Sequence, residues 1–359
     1  MKILHISHSL DLGGGPEYIY KIIKYSNKNN KYFVAGNYGK YVKLLKKFKI
    51  KIIFFNKKNI VFNFIKIFYI VLIENIRIIH SHGRGALIYI VLLKIIFRKK
   101  IKTIYTIHGF NVENIGEVTK YFYLILEKFA SKILDKIIFV SNSEYLHYKD
   151  IIKTKNKENT IIINNFVEDN KNKITIYKKR NEFKFIAVGR FSKEKGFDIL
   201  IEAFGLLEKH YPNKFQYKVF IVGEGKEKEY LADLIRKNNI SDKIFIRNSI
   251  SNVKKIFYLY DALIIPSRFE GMPLTLLEAI NIGIPVIATP ARGIIDVIDD
   301  NNSFICKSID SISLYQKILE FIYEDEKIIN KKIIEAKKRY YNCFSIRNIN
   351  KIIYLYKNK

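Results

Sequence analysis

Apolar runs of strand length alternate with helical runs from one end of this 359-residue chain to the other, and that alternation leaves few architectures open. Strands separated by helices pair in parallel, because each connection must cross over the sheet, and helices then cover both faces. The length suits two such domains, and 48% hydrophobic residues supply a core for each. No repeat occurs at solenoid periods. The expected division is a first domain over residues 1–164, a polar and lysine-rich connection over 165–182, a second domain over 183–340, and a terminal segment, 341–359, whose last helical run spans about Ile346 to Tyr356.

The stretch from Arg268 to Ala279 carries the densest chemistry. Ala262-Leu263-Ile264-Ile265-Pro266 before it has strand character, Gly271 punctuates, and Pro273 suits the first turn of a helix, where its missing N–H costs nothing. Glu270 then falls in a loop and Glu278 on the helix, and the helix start around Leu274 and Thr275 offers unpaired amides and a positive dipole end for a phosphate. By itself the segment also reads as a buried helix with two surface glutamates.

A second loop adds cations. Phe185-Ile186-Ala187-Val188-Gly189 reads as a buried strand, and Arg190-Phe191-Ser192-Lys193-Glu194-Lys195-Gly196 leads from its carboxyl end into a helical run from about Phe197 to Leu207. Open α/β sheets bind ligands in that crevice, and a guanidinium with an ammonium fits a diphosphate. In so basic a chain, such a loop is also what solvated surface looks like.

Together these segments resemble glycosyltransferase family 4 (group 1), whose members are retaining enzymes of the GT-B fold. The Glu-x7-Glu element is matched by Glu270 and Glu278, with Gly271, Met272 and Pro273 inside it. The Gly-Arg-x4-Lys-Gly element is matched by Gly189, Arg190, Lys195 and Gly196, and Val222-Gly223-Glu224-Gly225 is similar to the family's turn near the nucleotide base. In the amino-terminal half, Gly13-Gly14-Gly15-Pro16-Glu17 resembles the family's glycine loop, where missing side chains let backbone approach a ligand. Asn165-Phe166-Val167-Glu168 is similar to the family's hinge turn, and His108, in a strand ending His-Gly, matches the histidine facing the donor sugar. His80 and His82 end another strand and read as structural. The full Gly-x-Gly-x-x-Gly dinucleotide fingerprint is absent, which speaks against a nicotinamide enzyme.

The resemblance implies two Rossmann-like domains facing each other across a donor-binding cleft, with the C-terminal helix crossing back onto the N-terminal domain. It implies that Glu270 hydrogen-bonds sugar hydroxyls, that Glu278 holds the ribose, and that Arg190 and Lys195 stabilise the leaving diphosphate. Gly14, Gly15, Gly189, Gly223, Gly225, Gly271, Met272, Pro273, Leu274 and Thr275 complete the expected donor site. No metal or other cofactor is expected: the sequence contains no Asp-x-Asp, the usual metal handle of the other major glycosyltransferase fold. The two glutamates do not read as a glycosidase pair, since those carboxylates flank one bond, whereas Glu278 is expected on the nucleotide. The expected activity is transfer of a hexose or N-acetylhexosamine from a nucleotide-sugar, a UDP-sugar foremost, to a glycan acceptor on a lipid carrier in bacterial surface polysaccharide biosynthesis.

Sixty-three basic residues against 34 acidic leave a net charge of +29, enough to draw any polyanion. The basic residues are overwhelmingly lysine beside abundant isoleucine and asparagine, a compositional bias, and no nucleic-acid module emerges, so no specific nucleic-acid partner is expected. An anionic membrane is an expected peripheral partner, because Phe62 to Ile73 and Ala86 to Phe97 are apolar helical runs with adjoining lysines; both are expected to pack on the first sheet. Neither is long enough to span a bilayer. Cys306 and Cys343 are far apart and imply no disulfide framework, and Met1 runs directly into a strand, so the expected location is the cytoplasm or the cytoplasmic membrane face. The competing readings are a catalytically inactive binding protein of the same fold and a basic surface-binding protein.

Overall fold

The structure, a computed structural model, describes residues 1–11, 13–26, 30–56, 59–113, 115–153, 158–170, 176–250 and 252–358. It divides into two compact units: Met1–Asn165 together with Arg347–Lys359, and Phe166–Ile346.

The strands of the first unit are β1 (Lys2–Ser9), β2 (Lys31–Asn37), β3 (Lys51–Phe54), β4 (Ile78–His82), β5 (Lys102–Ile107), β6 (Lys136–Phe139) and β7 (Thr160–Ile162). They form one sheet in the order β3-β2-β1-β4-β5-β6-β7, every described pair parallel. Helices α1 (Gly14–Tyr25), α2 (Tyr41–Lys46), α3 (Ile60–Ile73), α4 (Leu87–Phe97), α5 (Glu117–Ile133) and α6 (Asn142–Ile152) make the crossovers. Inner strands covered on both faces must be apolar almost throughout, as Ile3, Leu4 and Ile6 of β1 and Ile137, Ile138 and Phe139 of β6 are, each fully buried. The chain winds outward from β1 to β3 and then returns to β4, so the order reverses between β1 and β4, where such sheets open a crevice at their carboxyl ends.

The second unit repeats the design with β8 (Glu182–Val188), β9 (Gln216–Val222), β10 (Ile244–Arg247), β11 (Ala262–Ile265), β12 (Val286–Ala288) and β13 (Phe304–Ile305), in the parallel order β10-β9-β8-β11-β12-β13. Helices α7 (Phe197–His210), α8 (Lys228–Lys237), α9 (Leu274–Ile282), α10 (Ser311–Tyr323) and α11 (Glu326–Cys343) surround it. Its reversal lies between β8 and β11.

The span expected as the connection, 165–182, belongs to the second unit from Phe166 onward. Phe166 and Val167 are buried, Tyr340 Oη donates to the Val167 carbonyl at 3.0 Å, Asn281 donates to the Glu168 carbonyl at 2.6 Å, and the Tyr177 amide donates to Asn330 at 2.8 Å. Its residues 171–175 lie outside the described ones. At the carboxyl end, 341–346 stay with the second unit and the first takes up the chain at Arg347, with α12 (Ile349–Lys357) anchored by Lys102 donating to the Leu355 carbonyl at 2.6 Å.

Two helices of the first unit depart from simple sheet covering. Helix α3 buries Asn63, Ile67 and Val71, packs Phe64, Phe68 and Ile70 partly against the core, and leaves Ile60, Val61, Phe62, Ile65, Tyr69, Leu72 and Ile73 exposed, because an almost wholly apolar helix can turn only one face to the sheet. Helix α5 buries Glu127 completely beneath two phenols, Tyr105 Oη donating at 2.9 Å and Tyr148 Oη at 3.2 Å, and burial raises that carboxyl to about 7.

Candidate active site

In the second unit the loops after β8 and β11 press together, and glycines permit it. Gly196 has a φ of 64°, and a Cβ there would lie 2.0 Å from the Pro266 carbonyl oxygen. A Cβ on Gly223 would lie 1.8 Å from the Gly189 carbonyl oxygen, and one on Gly225 2.3 Å from that of Phe191. These three positions therefore admit no other residue without backbone movement, which explains the glycines as packing requirements.

Arg268 locks the two loops. Its guanidinium grips Asp198, in the first turn of α7, through two bonds of 2.7 and 2.6 Å, and donates to the Lys193 carbonyl at 3.0 Å, while its amide donates to the Glu194 carbonyl at 2.9 Å. Burial works to raise the Asp198 carboxyl, but the paired guanidinium prevails and holds it below its usual value.

Within this frame Lys195 Nζ lies 2.6 Å from Glu270 Oε1, and Ser267 Oγ donates to the same oxygen at 2.9 Å. Glu270 is buried in the loop and Lys195 half-buried at the end of a 3-10 turn. Ser267 is itself fixed by Thr289 Oγ1, which donates to its carbonyl at 2.6 Å. Arg190 is exposed, and among the described residues its guanidinium forms no ion pair. An exposed cation at the end of β8 thus precedes, in the same loop, a lysine already fixed in a pair.

Helix α9 begins at Leu274, with Pro273 as its N-cap in extended conformation (φ −70°, ψ 126°), one position earlier than the expected first-turn placement. Met272 and Pro273 are buried, and Leu274, Thr275 and Glu278 are half-buried on the first two turns. Gly271 sits beneath Gly293, whose φ of 73° and whose Cβ position 2.2 Å from the Gly271 carbonyl oxygen require a glycine. The amides at the start of α9 retain the anion-receiving character of a helix end.

In the first unit Gly13 precedes α1, and Gly14 and Gly15 open it. The glycine loop lies over His108, at the carboxyl end of β5: a Cβ on Gly15 would stand 3.6 Å from the imidazole. His108 is half-buried, and burial lowers its pKa to about 4, so the ring is neutral at pH 7. Tyr18 of α1 sets its ring edgewise against His108, the centroids 5.1 Å apart.

His80 and His82, read from the sequence as structural, are held in a cluster of side chains. His82 Nδ1 lies 3.3 Å from His108 Nε2, and His82 Nε2 lies 3.0 Å from His5 Nδ1. His80 is held on both nitrogens by hydroxyls, Tyr356 at 2.7 Å and Thr106 at 2.7 Å. The signal was present as His-x-His in a strand, which places both rings on one face; Ser267 and the Arg268–Asp198 clasp had none.

Comparison with known proteins agrees with this architecture. The family model for glycosyl transferases group 1 matches residues 166–340, and that for glycosyltransferase family 4 matches residues 43–171. An uncharacterised glycosyltransferase of Methanocaldococcus jannaschii is 30% identical over 277 residues, 76% of this chain and 72% of that one. The O-antigen biosynthesis glycosyltransferase WclY of Escherichia coli is 29% identical over 230 residues, 59% of this chain and 60% of its own. Across the first curated relatives the chain spans between 46% and 72% of their length. Among solved structures, HepE of Anabaena in complex with UDP-glucose superposes with a TM-score of 0.83 over 99% of both chains at 19% identity, a likeness of fold.

Proposed function

Since the chain belongs to the group 1 glycosyltransferases of family 4, we propose that it transfers a hexose or N-acetylhexosamine, with retention of configuration, from a UDP-sugar to a lipid-linked glycan in surface polysaccharide biosynthesis. The observation that carries the reading is the Lys195–Glu270 pair, held at 2.6 Å between two loops at the carboxyl ends of β8 and β11 and flanked by the exposed Arg190. A WclY relative named for O-antigen biosynthesis and a HepE neighbour complexed with UDP-glucose support the acceptor class and the donor class respectively.

The leaving diphosphate gathers negative charge on its bridging oxygen, and fixed donors must meet that charge as it grows. Arg190 and the amides around Leu274 and Thr275 supply them, joined by Lys195 as it exchanges Glu270 for phosphate. Glu270 is then released to accept hydrogen bonds from sugar hydroxyls, and Glu278 receives the ribose. His108 contacts the sugar as a neutral ring. The glycines at 14, 15, 189, 223, 225 and 271, with Met272 and Pro273, let backbone close on the donor. No step in this account draws on a metal or other cofactor.

The exposed face of α3 supplies the peripheral membrane contact. Phe68 of α3 packs on Phe97 of α4 at 5.6 Å between ring centroids, and Ile95 and Ile96 of α4 are exposed with Arg98, Lys99 and Lys100 immediately following. Among the described residues no helix is long and apolar enough to cross a membrane.

Calorimetric titration of the wild type and of Arg190→Ala with UDP, GDP and ADP, without added metal, tests the donor site. Binding of UDP that is lost in the variant is the expected result. Absence of binding to all three removes the physical basis of the diphosphate site and favours an inactive or surface-binding protein.

A further inference from the structure

Beyond the end of β5 the chain turns without regular secondary structure, and the side chains of the turn go to different neighbours. His108 is half-buried against Tyr18 of α1. Phe110, two residues on, is fully buried against α5 and α6, its ring centroid 5.9 Å from that of Tyr123, 6.0 Å from His147 and 4.9 Å from Tyr148. Gly109 between them is exposed. A rotation of this short turn about its buried end swings the imidazole relative to the glycine loop, so whatever fixes Phe110 also places His108.

The backbone of the turn is fixed from α6. The Phe110 amide donates to Glu144 Oε2 at 2.6 Å, a bond between residues 34 positions apart. Glu144 is fully buried in the first turn of α6, and Ser141 caps that helix, its Oγ accepting from the Glu144 amide at 3.3 Å. Ser141-Asn142-Ser143-Glu144 is thus the Ser-x-x-Glu of a capping box, in which the glutamate side chain turns back to the amide of the cap residue. Here at least one of its oxygens reaches a different loop. Helix stability alone does not call for this burial, since an exposed glutamate serves a first turn as well, and burying a carboxyl group is costly unless it is hydrogen-bonded. A carboxylate on a backbone amide makes one of the shorter and stronger hydrogen bonds available to a protein, which suits it to holding a turn that has no strand or helix ladder of its own.

We infer that Glu144 is a positioning residue for His108. By holding the Phe110 amide it fixes the turn His108-Gly109-Phe110, and with it the imidazole against the glycine loop, where a Cβ on Gly15 would stand 3.6 Å away. Glu144 itself touches no ligand in this assignment. The consequence for turnover rests on the proposed reading of His108 as a sugar contact; the anchoring of the turn does not.

Two measurements on the full chain test it. Amide hydrogen exchange reads the anchor: Phe110 should be protected in the wild type and in Glu144→Gln, whose carbonyl can still accept, and should exchange roughly tenfold faster or more in Glu144→Leu. In the transfer assay Glu144→Leu should lower kcat roughly 10- to 100-fold with UDP affinity unchanged, Glu144→Gln should recover most of it, and the double variant with His108→Ala should be no worse than His108→Ala alone. Glu144→Asp, which withdraws the carboxylate by one methylene, serves where the leucine variant does not fold and should fall between the other two. Rapid exchange at Phe110 in the wild type, wild-type transfer by Glu144→Leu, or losses that multiply in the double variant, as a merely structural role would give, overturn the inference. Undiminished transfer by His108→Ala overturns the reading of His108 and with it the effect of Glu144 on turnover, while protection of Phe110 that is lost in Glu144→Leu would still establish the anchor.

Discussion

Lys195 Nζ and Glu270 Oε1 stand 2.6 Å apart, so the cation proposed for phosphate and the carboxylate proposed for sugar neutralise each other. In the proposed reaction, donor binding is an exchange of partners: phosphate draws the ammonium away and frees the carboxylate. Lys195→Met removes a donor to the developing charge and strands a buried carboxylate at once. Steady-state assays should give a kcat/KM lower by roughly 10²–10³-fold, the range for loss of one preorganised donor, whereas Glu270→Gln should preserve nucleotide affinity. A Lys195→Met enzyme with wild-type kcat/KM would sink the exchange.

Gly196 tests the loop frame separately from the chemistry. Its φ of 64° and the 2.0 Å between a Cβ and the Pro266 carbonyl oxygen combine left-handed strain with a direct clash. Gly196→Ala should destabilise the second unit by about 2–4 kcal/mol, since strain of this kind costs ~1–3 kcal/mol and the overlap adds to it. Thermal or urea unfolding measures this; a shift within error would mean that the loops can part freely.

The buried histidines make the first unit acid-sensitive. Their folded-state values lie below the unfolded value of 6.5, so the folded state binds fewer protons, and the stability is present above 6.5 and lost as pH falls toward the folded values, about 3 for His5 and about 4 for His108. Each contributes a loss of roughly 1.4 kcal/mol per pH unit in that window. Glu127 acts oppositely: raised from 4.5 to about 7, it takes stability away as pH rises between those values. Net acid unfolding of the first unit between about pH 4 and 6 should follow, and Glu127→Gln should flatten the opposing slope. Circular dichroism against pH, with the second unit as internal reference, checks both signs. A first unit that stays folded to pH 4 without proton uptake contradicts them.

The sequence carried the layered α/β design openly, because strands buried on both faces must be continuous apolar runs and the crossovers must be helical. It also carried Glu270, Glu278, Arg190 and Lys195, because strand, glycine and helix start follow one another locally. Contacts between distant positions left no such trace. Nothing near Arg268 announces Asp198, 70 positions away, and nothing near His108 announces His82 and His5. The span 165–182 read as a connection from its polarity, yet buried side chains, Phe166, Val167 and Tyr177, bind it to the second unit. Likewise the composition of α3 fixed that it is apolar but not which residues the sheet would cover.

That uncovered face of α3 yields the last test. Ile65, Tyr69 and Leu72 are 55%, 60% and 51% exposed, and they recur at the three- and four-residue spacing that places them on one side of the helix. Water is an unfavourable neighbour for such a stripe, and the cationic run Arg98-Lys99-Lys100 after α4 offers attraction to anionic headgroups. A large aliphatic side chain leaving water contributes ~1.5–3 kcal/mol when fully buried and less at an interface, so each replacement by glutamate should weaken vesicle binding by about tenfold, with charge repulsion adding to lost burial. Co-sedimentation with vesicles containing anionic lipid should therefore retain the wild type at moderate salt and release Ile65→Glu/Tyr69→Glu, while UDP titration of the variant stays unchanged. Equal retention of both proteins would reduce the attraction to bulk charge, which high salt would abolish for both alike; retention of neither would leave the α3 stripe without a lipid role.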